Sequence, residues 1–163
     1  MIGTVSPPTT CHLVGMGQVA VFTLPETARA VLGSCVGVAI YDETIKLAAM
    51  AHVVLPNSEG RNPGTPGKYA DTAIEFMRDS LLQRGANPRR LIAKIAGGAN
   101  MFVGKGPFQI GSQNVDAVRS GLASRTIRLA GEHLGGTHGR RVTFDLTTCK
   151  LVIEVAGQPA AQL

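Results

Sequence analysis

The sequence predicts a single α/β layered domain with a mostly antiparallel, hairpin-rich sheet and two main helices. Its length of 163 residues suits one compact domain. Short β-branched apolar segments alternate with turns, and two further segments carry apolar residues at helical spacing. We expect the domain to span residues 13–157, between a flexible N-terminal arm over residues 1–12 and a C-terminal tail over residues 158–163.

Two consecutive apolar segments predict a buried hairpin at the centre of the sheet. Residues 36–41 (VGVAIY) form a continuous apolar run, which is typical of a strand that is buried on both faces. Residues 42–44 (DET) are predicted to form the turn. Residues 47–55 (LAAMAHVVL) are predicted to form the second buried strand, which ends at Pro56-Asn57.

The remaining elements follow from the same two periodicities. Further strands are predicted over residues 13–24, 91–96, 127–134, 142–146 and 151–155. A helix over residues 68–84 is predicted to end at Gly85, and Ser112 is predicted to cap a second helix. The apolar faces of these two helices comprise Ala70, Ile74, Met77, Leu81, Val115, Val118 and Leu122.

Composition argues against several classes of protein. Hydrophobic residues make up 44% of the chain and charged residues 17%, so we do not expect a disordered chain. The net charge of +5 fits either a solvated basic surface or a docking face for an acidic protein partner. Binders of single-stranded nucleic acid need aromatic platforms, but the chain has five Phe, two Tyr and no Trp. We therefore expect no nucleic-acid partner.

The chain is expected to be cytoplasmic and not to insert into a membrane. No apolar run reaches the roughly 18 residues that span a bilayer. Residues 1–10 lack the positive charge of a secretory signal. Three widely spaced cysteines, Cys11, Cys35 and Cys149, favour reduced thiols over a disulfide framework.

Glycine-rich motifs and metal-ligand spacings do not predict a cofactor. Residues 15–20 match the GxGxxA dinucleotide pattern, but a predicted strand follows where a helix is required. Residues 97–106 resemble a phosphate loop, but Ala99 and Gly106 replace its first glycine and its Ser/Thr. The glycines at the start of this stretch indicate either tight strand-to-loop geometry or a cleft rim. Because the Cys and His residues also lack metal-binding spacing, we expect neither a metal nor an organic cofactor.

Cys35 and His52 are the candidate catalytic residues. Cys35 follows Gly33-Ser34 at a predicted turn, where backbone N–H groups stay free to bind an oxyanion. A thiol with an ordinary pKa of about 8.5 needs a base to act as a nucleophile at neutral pH. If the two central strands pair as a hairpin, His52 approaches Cys35. On these residues alone, ordinary core packing of both side chains remains the more common alternative.

A series of sequence blocks resembles one known family. Residues 32–42 (LGSCVGVAIYD) are similar to the nucleophile segment of the chemoreceptor glutamine deamidases, the CheD family, and residues 51–56 (AHVVLP) to its histidine segment. The match continues in order and covers roughly residues 13–155. The further matching blocks are residues 68–73, 96–101, 110–115, 134–136 and 139–145.

The resemblance implies a fold, an activity and partners. It implies an α/β fold akin to the cysteine deamidase toxins, and hydrolysis of receptor glutamine side chains to glutamate with release of ammonia. Cys35 would attack the amide carbon, forming a thioester, and His52 would act as its base, without a metal or cofactor. The substrates would be methyl-accepting chemotaxis receptors, and a chemotaxis phosphatase of the CheC type would compete with them for the enzyme.

The sequence departs from the family at one position. The family usually has a threonine six residues before the cysteine, which orients the histidine, and Arg29 stands there in this chain. Thr27 would share its strand face. The orienting group therefore remains unassigned. This departure keeps two alternatives open: a non-catalytic module of the same fold that binds the phosphatase, and a cysteine amidohydrolase with another protein substrate.

Overall fold

The computed structural model describes residues 9–101 and 109–163. Within these residues the strands are β1 (Cys11–Leu13), β2 (Val19–Thr23), β3 (Thr27–Leu32), β4 (Val36–Asp42), β5 (Leu47–Val53), β6 (Ile92–Gly97), β7 (Arg128–Leu134), β8 (Arg140–Asp145), β9 (Lys150–Glu154) and β10 (Ala161–Gln162). The helices are α1 (Ala70–Gln83), α2 (Ile110–Ser124) and a short 3-10 helix, Pro88–Arg90. Most of the predicted arm, residues 1–8, and part of the glycine-rich stretch, residues 102–108, lie outside the described residues.

The strands form two sheets that stack in three layers with the helices. The central sheet has the order β2-β5-β4-β6-β7, and the outer sheet has the order β1-β3-β8-β9-β10. Helices α1 and α2 pack on one face of the central sheet, and strand β3 of the outer sheet lies against β4 and β5 on the other. Most strand pairs are antiparallel, although β1–β3 and β6–β7 are parallel. The predicted α/β class with a mostly antiparallel sheet is confirmed.

Strands β4 and β5 form the predicted hairpin, and every residue in both strands is buried. Their register places Val36 opposite Val53 and Gly37 opposite His52. Because side chains alternate across a strand, Val36, Val38 and Ile40 face the helices, whereas Gly37, Ala39 and Tyr41 face the outer sheet. Burial on both faces explains why these two segments have no polar alternation.

The outer sheet separates buried from solvent-facing residues along β3. Ala28, Ala30 and Leu32 point into the core between the two sheets, and each is at most 3% exposed. Thr27 and Arg29 lie on the opposite face, which is only partly buried. Strand β3 pairs with β8 without a register shift over its whole length. The chain then crosses from the outer sheet to the central sheet between Leu32 and Val36.

Two predictions about element boundaries have different outcomes. Gly85 follows the end of α1 with a φ of 99°, which agrees with its predicted capping position. The predicted cap at Ser112 is wrong, because α2 begins at Ile110 and no side chain caps it. Strand β1 occupies the end of the segment predicted as an arm, and β10 lies within the segment predicted as a tail.

Asp42 closes the hairpin at its turn end. The carboxylate is fully buried and accepts hydrogen bonds from Arg90 Nε (3.1 Å), the Asn87 N–H (3.0 Å) and the Thr44 N–H (3.0 Å). Burial alone would raise the pKa of the Asp42 carboxyl, but these hydrogen bonds outweigh burial and hold the pKa below its usual value. The ionised carboxylate thus ties β4 to the 3-10 helix.

We expect Asp42→Asn to lower the free energy of unfolding at pH 7 by about 2 to 4 kcal/mol, because it leaves a buried network without its charge. A depressed folded-state pKa contributes stability above the unfolded value of about 3.9, and this contribution is lost as the pH falls through the folded pKa. Urea unfolding at pH 7 and at acid pH measures both effects. The variant should lose less stability on acidification than wild type.

Asp79→Asn is the matched control, because Asp79 lies on α1 with its side chain 55% exposed. It should change the free energy of unfolding by less than about 0.5 kcal/mol. Equal losses in the Asp42 and Asp79 variants would show that the Asp42 network contributes nothing specific.

Candidate active site

Cys35 and His52 lie on the same face of the central hairpin, between the two sheets. Cys35 immediately precedes β4 and belongs to the buried cluster between the sheets. His52 is opposite Gly37, which places it diagonally across from Cys35, two residues along β4. Such diagonal neighbours have Cα atoms about 7 to 8 Å apart, within reach of long and aromatic side chains. The tertiary structure therefore brings the two predicted residues into one neighbourhood.

Side chains of the core pack closely against Gly37 on this face of the hairpin. A Cβ atom at Gly37 would lie 3.0 Å from Leu32 Cδ1 and 3.6 Å from Met50 Cε. Glycine therefore fits opposite His52 without displacing Leu32, which a larger residue would have to shift. The sequence did not single out this position.

A backbone carbonyl orients the His52 ring. His52 is 4% exposed, and its Nδ1 is 2.9 Å from the carbonyl oxygen of Val14. A carbonyl can only accept a hydrogen bond, so Nδ1 must carry the proton and donate it. In the neutral ring Nε2 is then the unprotonated, basic nitrogen. Sequence reasoning missed Val14, because main-chain partners leave no signature in side-chain identity.

The segment around Val14 is itself held in place by hydrogen bonds to the neighbouring strands. The Val14 N–H donates to the Arg29 carbonyl at 2.8 Å. The Gly17 N–H donates to the His52 carbonyl at 2.9 Å, and the His52 N–H donates to the Gln18 carbonyl at 3.1 Å. The segment that connects β1 to β2 is therefore hydrogen-bonded to both the N–H and the carbonyl of His52.

The side chains of Arg29 and Thr27 do not face His52. Both lie on the face of β3 that points away from the central sheet, and Arg29 Nε donates to Thr143 Oγ1 at 3.2 Å. The predicted sharing of one strand face is present, but no bulge turns Thr27 inward. In the described part of the chain, hydrogen bonds connect position 29 to His52 through the Arg29 carbonyl and Val14.

The loop that carries Cys35 is fixed through three consecutive carbonyls. The Gly33 carbonyl accepts from the Ala99 N–H at 3.0 Å, and the Cys35 carbonyl accepts from the Gly98 N–H at 2.9 Å. The Ser34 carbonyl accepts from Asn114 Nδ2 at 3.1 Å. Within residues 9–101 and 109–163, the N–H groups of Ser34 and Cys35 donate to no other residue. These two donors fit the predicted oxyanion-binding role.

Gly97 and Gly98 shape the floor under this loop. They have φ values of 115° and 65°, which L-residues with side chains rarely adopt. A Cβ atom at Gly97 would collide with the Cys35 carbonyl oxygen, and one at Gly98 would collide with Val115. The glycine block therefore serves strand-to-loop geometry, and that geometry supports the Cys35 backbone directly.

Both candidate groups are neutral at rest. Burial raises the pKa of the Cys35 thiol, and a hydrogen bond from its own backbone N–H lowers it only partly. Burial lowers the pKa of His52, and the Val14 hydrogen bond offsets this only partly. In the described part of the chain no hydrogen bond links the thiol to the imidazole. Catalytic hydrogen bonds often form only when substrate is bound.

The other histidines and cysteines take separate positions. His133 lies in β7, within the strand predicted over residues 127–134, and its Nδ1 accepts from the buried Arg140 Nη1 at 2.8 Å. His138 is exposed. Across the two described ranges no three Cys, His, Asp or Glu side chains come close enough to hold a metal ion. Neither α1 nor α2 is long and apolar enough to cross a membrane.

The fold and the site together define a three-layer α/β protein with a cysteine and a histidine on one face of its central hairpin. A family model described as CheD chemotactic sensory transduction matches residues 54–155, and the chain belongs to the CheD family. The chemoreceptor glutamine deamidase CheD of Thermotoga maritima is 44% identical over 146 residues, covering 89% of this chain and 92% of that protein.

A second relative matches over almost the same extent. It is a probable chemoreceptor glutamine deamidase CheD from Symbiobacterium thermophilum, 43% identical over 157 residues, covering 92% of this chain and 95% of that protein. Among solved structures, the Bacillus licheniformis hypothetical protein YfiH aligns with 74% of this chain and 51% of its own, at 17% identity and a TM-score of 0.48.

We expect His52 to be the neutral Nδ1–H tautomer at pH 7, because the Val14 carbonyl accepts the Nδ1 proton. Nitrogen-15 NMR of the imidazole nitrogens distinguishes the two tautomers, and the signals that vanish in His52→Gln are those of His52. The ring should stay neutral to a pH below the ordinary histidine pKa of about 6.5. An Nε2–H tautomer would contradict this assignment.

Proposed function

We propose that this chain is a chemoreceptor glutamine deamidase in which Cys35 is the nucleophile and His52 the general base. The substrate class comes from the relatives, whose names state this activity. The matched family range begins after both residues, so their roles rest on the geometry. The observation that carries the proposal is the Val14 hydrogen bond, which leaves His52 Nε2 as a base on the same face as Cys35.

The first half-reaction forms a thioester and releases ammonia. Cys35 Sγ attacks the carbon of the glutamine side-chain amide, and the thiol proton passes to His52 Nε2. The carbonyl electron pair moves to oxygen, where the N–H groups of Cys35 and Ser34 stabilise the negative charge. The His52 imidazolium then gives its proton to the amide nitrogen, the C–N bond breaks and ammonia leaves.

The second half-reaction returns the enzyme to its starting state. Water attacks the thioester carbon and gives a proton to His52 Nε2. The C–S bond breaks, the sulfur regains the proton from His52, and the product is a glutamate side chain. Because burial favours the neutral forms of Cys35 and His52, the proton moves as the sulfur attacks instead of before it.

The orientation of the His52 ring by a backbone carbonyl argues against the alternative that the chain is a non-catalytic binding module. That alternative was motivated by Arg29 in place of a threonine, but the orienting hydrogen bond comes from the Val14 carbonyl. Since a carbonyl is present whatever the side chain, replacement at position 29 leaves the base oriented. This supports the enzyme over a binding module.

We expect wild type to convert receptor glutamines to glutamate, and Cys35→Ala and His52→Ala each to lower the rate by at least about 10³-fold. Mass spectrometry of receptor cytoplasmic peptides detects the amide-to-acid mass gain. Cys11→Ser is the matched control, because Cys11 is an exposed thiol on β1 and should leave the rate near wild type. Arg29→Ala should also remain active, because its side chain faces away from His52.

Persistence of the mass gain in Cys35→Ala would refute the cysteine mechanism. Absence of the gain with wild type would refute the receptor as substrate, and would favour an amidohydrolase that acts on another protein.

We also propose that the protein works in the cytoplasm, where a CheC-type phosphatase competes with receptors for the surface around the site. Three large apolar side chains are exposed around the site: Leu13 (75%), Met16 (69%) and Met101 (47%). Leu13 and Met16 flank Val14, and Met101 lies against Gly33. Exposed apolar residues grouped on one surface are typical of protein-binding sites.

We expect Leu13→Lys and Met16→Lys each to weaken phosphatase binding by roughly 10-fold or more, because each buries a charge in an apolar contact. Ile45→Lys is the matched control, since Ile45 is 42% exposed in the β4–β5 turn at the opposite end of the hairpin. Titration calorimetry measures the three affinities. Cys35→Ala should bind like wild type, and equal weakening by Ile45→Lys would exclude this surface as the docking site.

A further inference from the structure

Asn114 connects the two strand ends that carry the candidate site. It lies on α2 and is fully buried, and its Nδ2 donates to the Ser34 carbonyl at 3.1 Å and to the Val54 carbonyl at 2.9 Å. Ser34 immediately precedes Cys35, and Val54 lies two residues after His52. One amide group therefore holds both segments at once.

The register of β4 and β5 shows which end of the hairpin Asn114 connects. Val36 pairs with Val53, so the next position outward on β4 is Cys35 and the next on β5 is Val54. The strand pairing ends here, because the Val54 N–H turns away to the Lys68 carbonyl. Asn114 thus replaces the inter-strand hydrogen bonds that the hairpin no longer makes at this end.

Asn114 also sets the direction of the Cys35 N–H. The Ser34–Cys35 peptide is trans, so its C=O and N–H point in opposite directions. Asn114 holds the Ser34 carbonyl toward α2, on the helix side of the central sheet. The Cys35 N–H must then point to the other side, where the sulfur and His52 lie.

The Asn114 side chain acts as a hydrogen-bond donor, because its NH2 group has two partners and, within the described residues, its oxygen has none. Asn114 Oδ1 is buried, and it accepts no hydrogen bond within the described residues. An unpaired buried carbonyl destabilises a protein. The stability of the fold therefore does not account for an asparagine at this position. Two N–H donors at the end of a short side chain are what the two carbonyls need, and aspartate cannot supply them.

We propose that Asn114 is a positioning residue for the deamidation reaction, which turns the Cys35 N–H toward the oxyanion and keeps Cys35 and His52 in register. This inference rests on the proposed function. Asn114 donates to the Ser34 and Val54 carbonyls and acts through them. It should therefore affect turnover more than substrate binding.

The test compares Asn114→Leu, which keeps the branching and the number of side-chain heavy atoms and removes both donors, with Asn114→Ser, which keeps one hydroxyl donor. Val118→Ala is the matched control, because Val118 is a fully buried α2 residue without side-chain hydrogen bonds, and its truncation lowers stability alone. All variants carry Cys11→Ser, and mass spectrometry of the labelled peptides distinguishes alkylation of Cys35 from alkylation of the buried Cys149. The readouts are kcat and KM on receptor peptides, the pH midpoint of labelling and the melting temperature.

For Asn114→Leu we expect kcat to fall roughly 10- to 100-fold with KM changed less than about 3-fold, because an oriented oxyanion donor is lost. The labelling midpoint should rise by about 1 pH unit, since the thiolate loses the hydrogen bond of the Cys35 N–H. For Asn114→Ser, kcat and the labelling midpoint should both lie between those of wild type and Asn114→Leu. If Asn114→Leu does not fold, Asn114→Ser provides the test. Val118→Ala should lower only the melting temperature.

Wild-type kcat and an unshifted labelling midpoint in both Asn114 variants would overturn the inference. An equal loss of kcat in Val118→Ala at the same melting temperature would also overturn it, by showing that stability alone sets the rate. Because labelling needs no receptor, a shifted midpoint without receptor deamidation by wild type would support the positioning role and refute the proposed substrate.

Discussion

The pairing of β4 with β5 is the constraint on which the rest of the site depends. Both strands are buried on both faces, so a slip of one residue would move every side chain to the opposite layer of the protein. The register is held at both ends, by the Asp42 network at the turn and by Asn114 at the open end. Cys35 and His52 share a face only because this register is kept.

The main chain supplies much of the candidate chemistry. The Val14 carbonyl orients His52, and among the described residues no other residue accepts a hydrogen bond from the N–H groups of Ser34 and Cys35. Side chains act mainly by directing these backbone groups. This division explains how Arg29 can occupy the position of a threonine, since its side chain faces solvent while its carbonyl still holds the segment that orients the histidine.

Burial has opposite effects on the two candidate groups and thereby keeps them neutral. It raises the pKa of the Cys35 thiol and lowers that of the His52 imidazole, because each charged form would lose hydration. A neutral imidazole can accept the proton of a neutral thiol. Within the described residues, the unpaired and buried Asn114 oxygen lowers stability near this site.

Sequence alone predicted most of the elements and named the two candidate catalytic side chains of this protein. Apolar periodicity is local, so it predicted the β4–β5 hairpin and both helices, whereas the candidate roles of Cys35 and His52 came from the resemblance of their segments to the CheD family. Only the tertiary structure decided what surrounds them: the division into two sheets, the Val14 carbonyl, and Asn114 reaching across from α2. The physical reason is that backbone groups are identical at every residue, so only packing selects which carbonyl or N–H meets which partner.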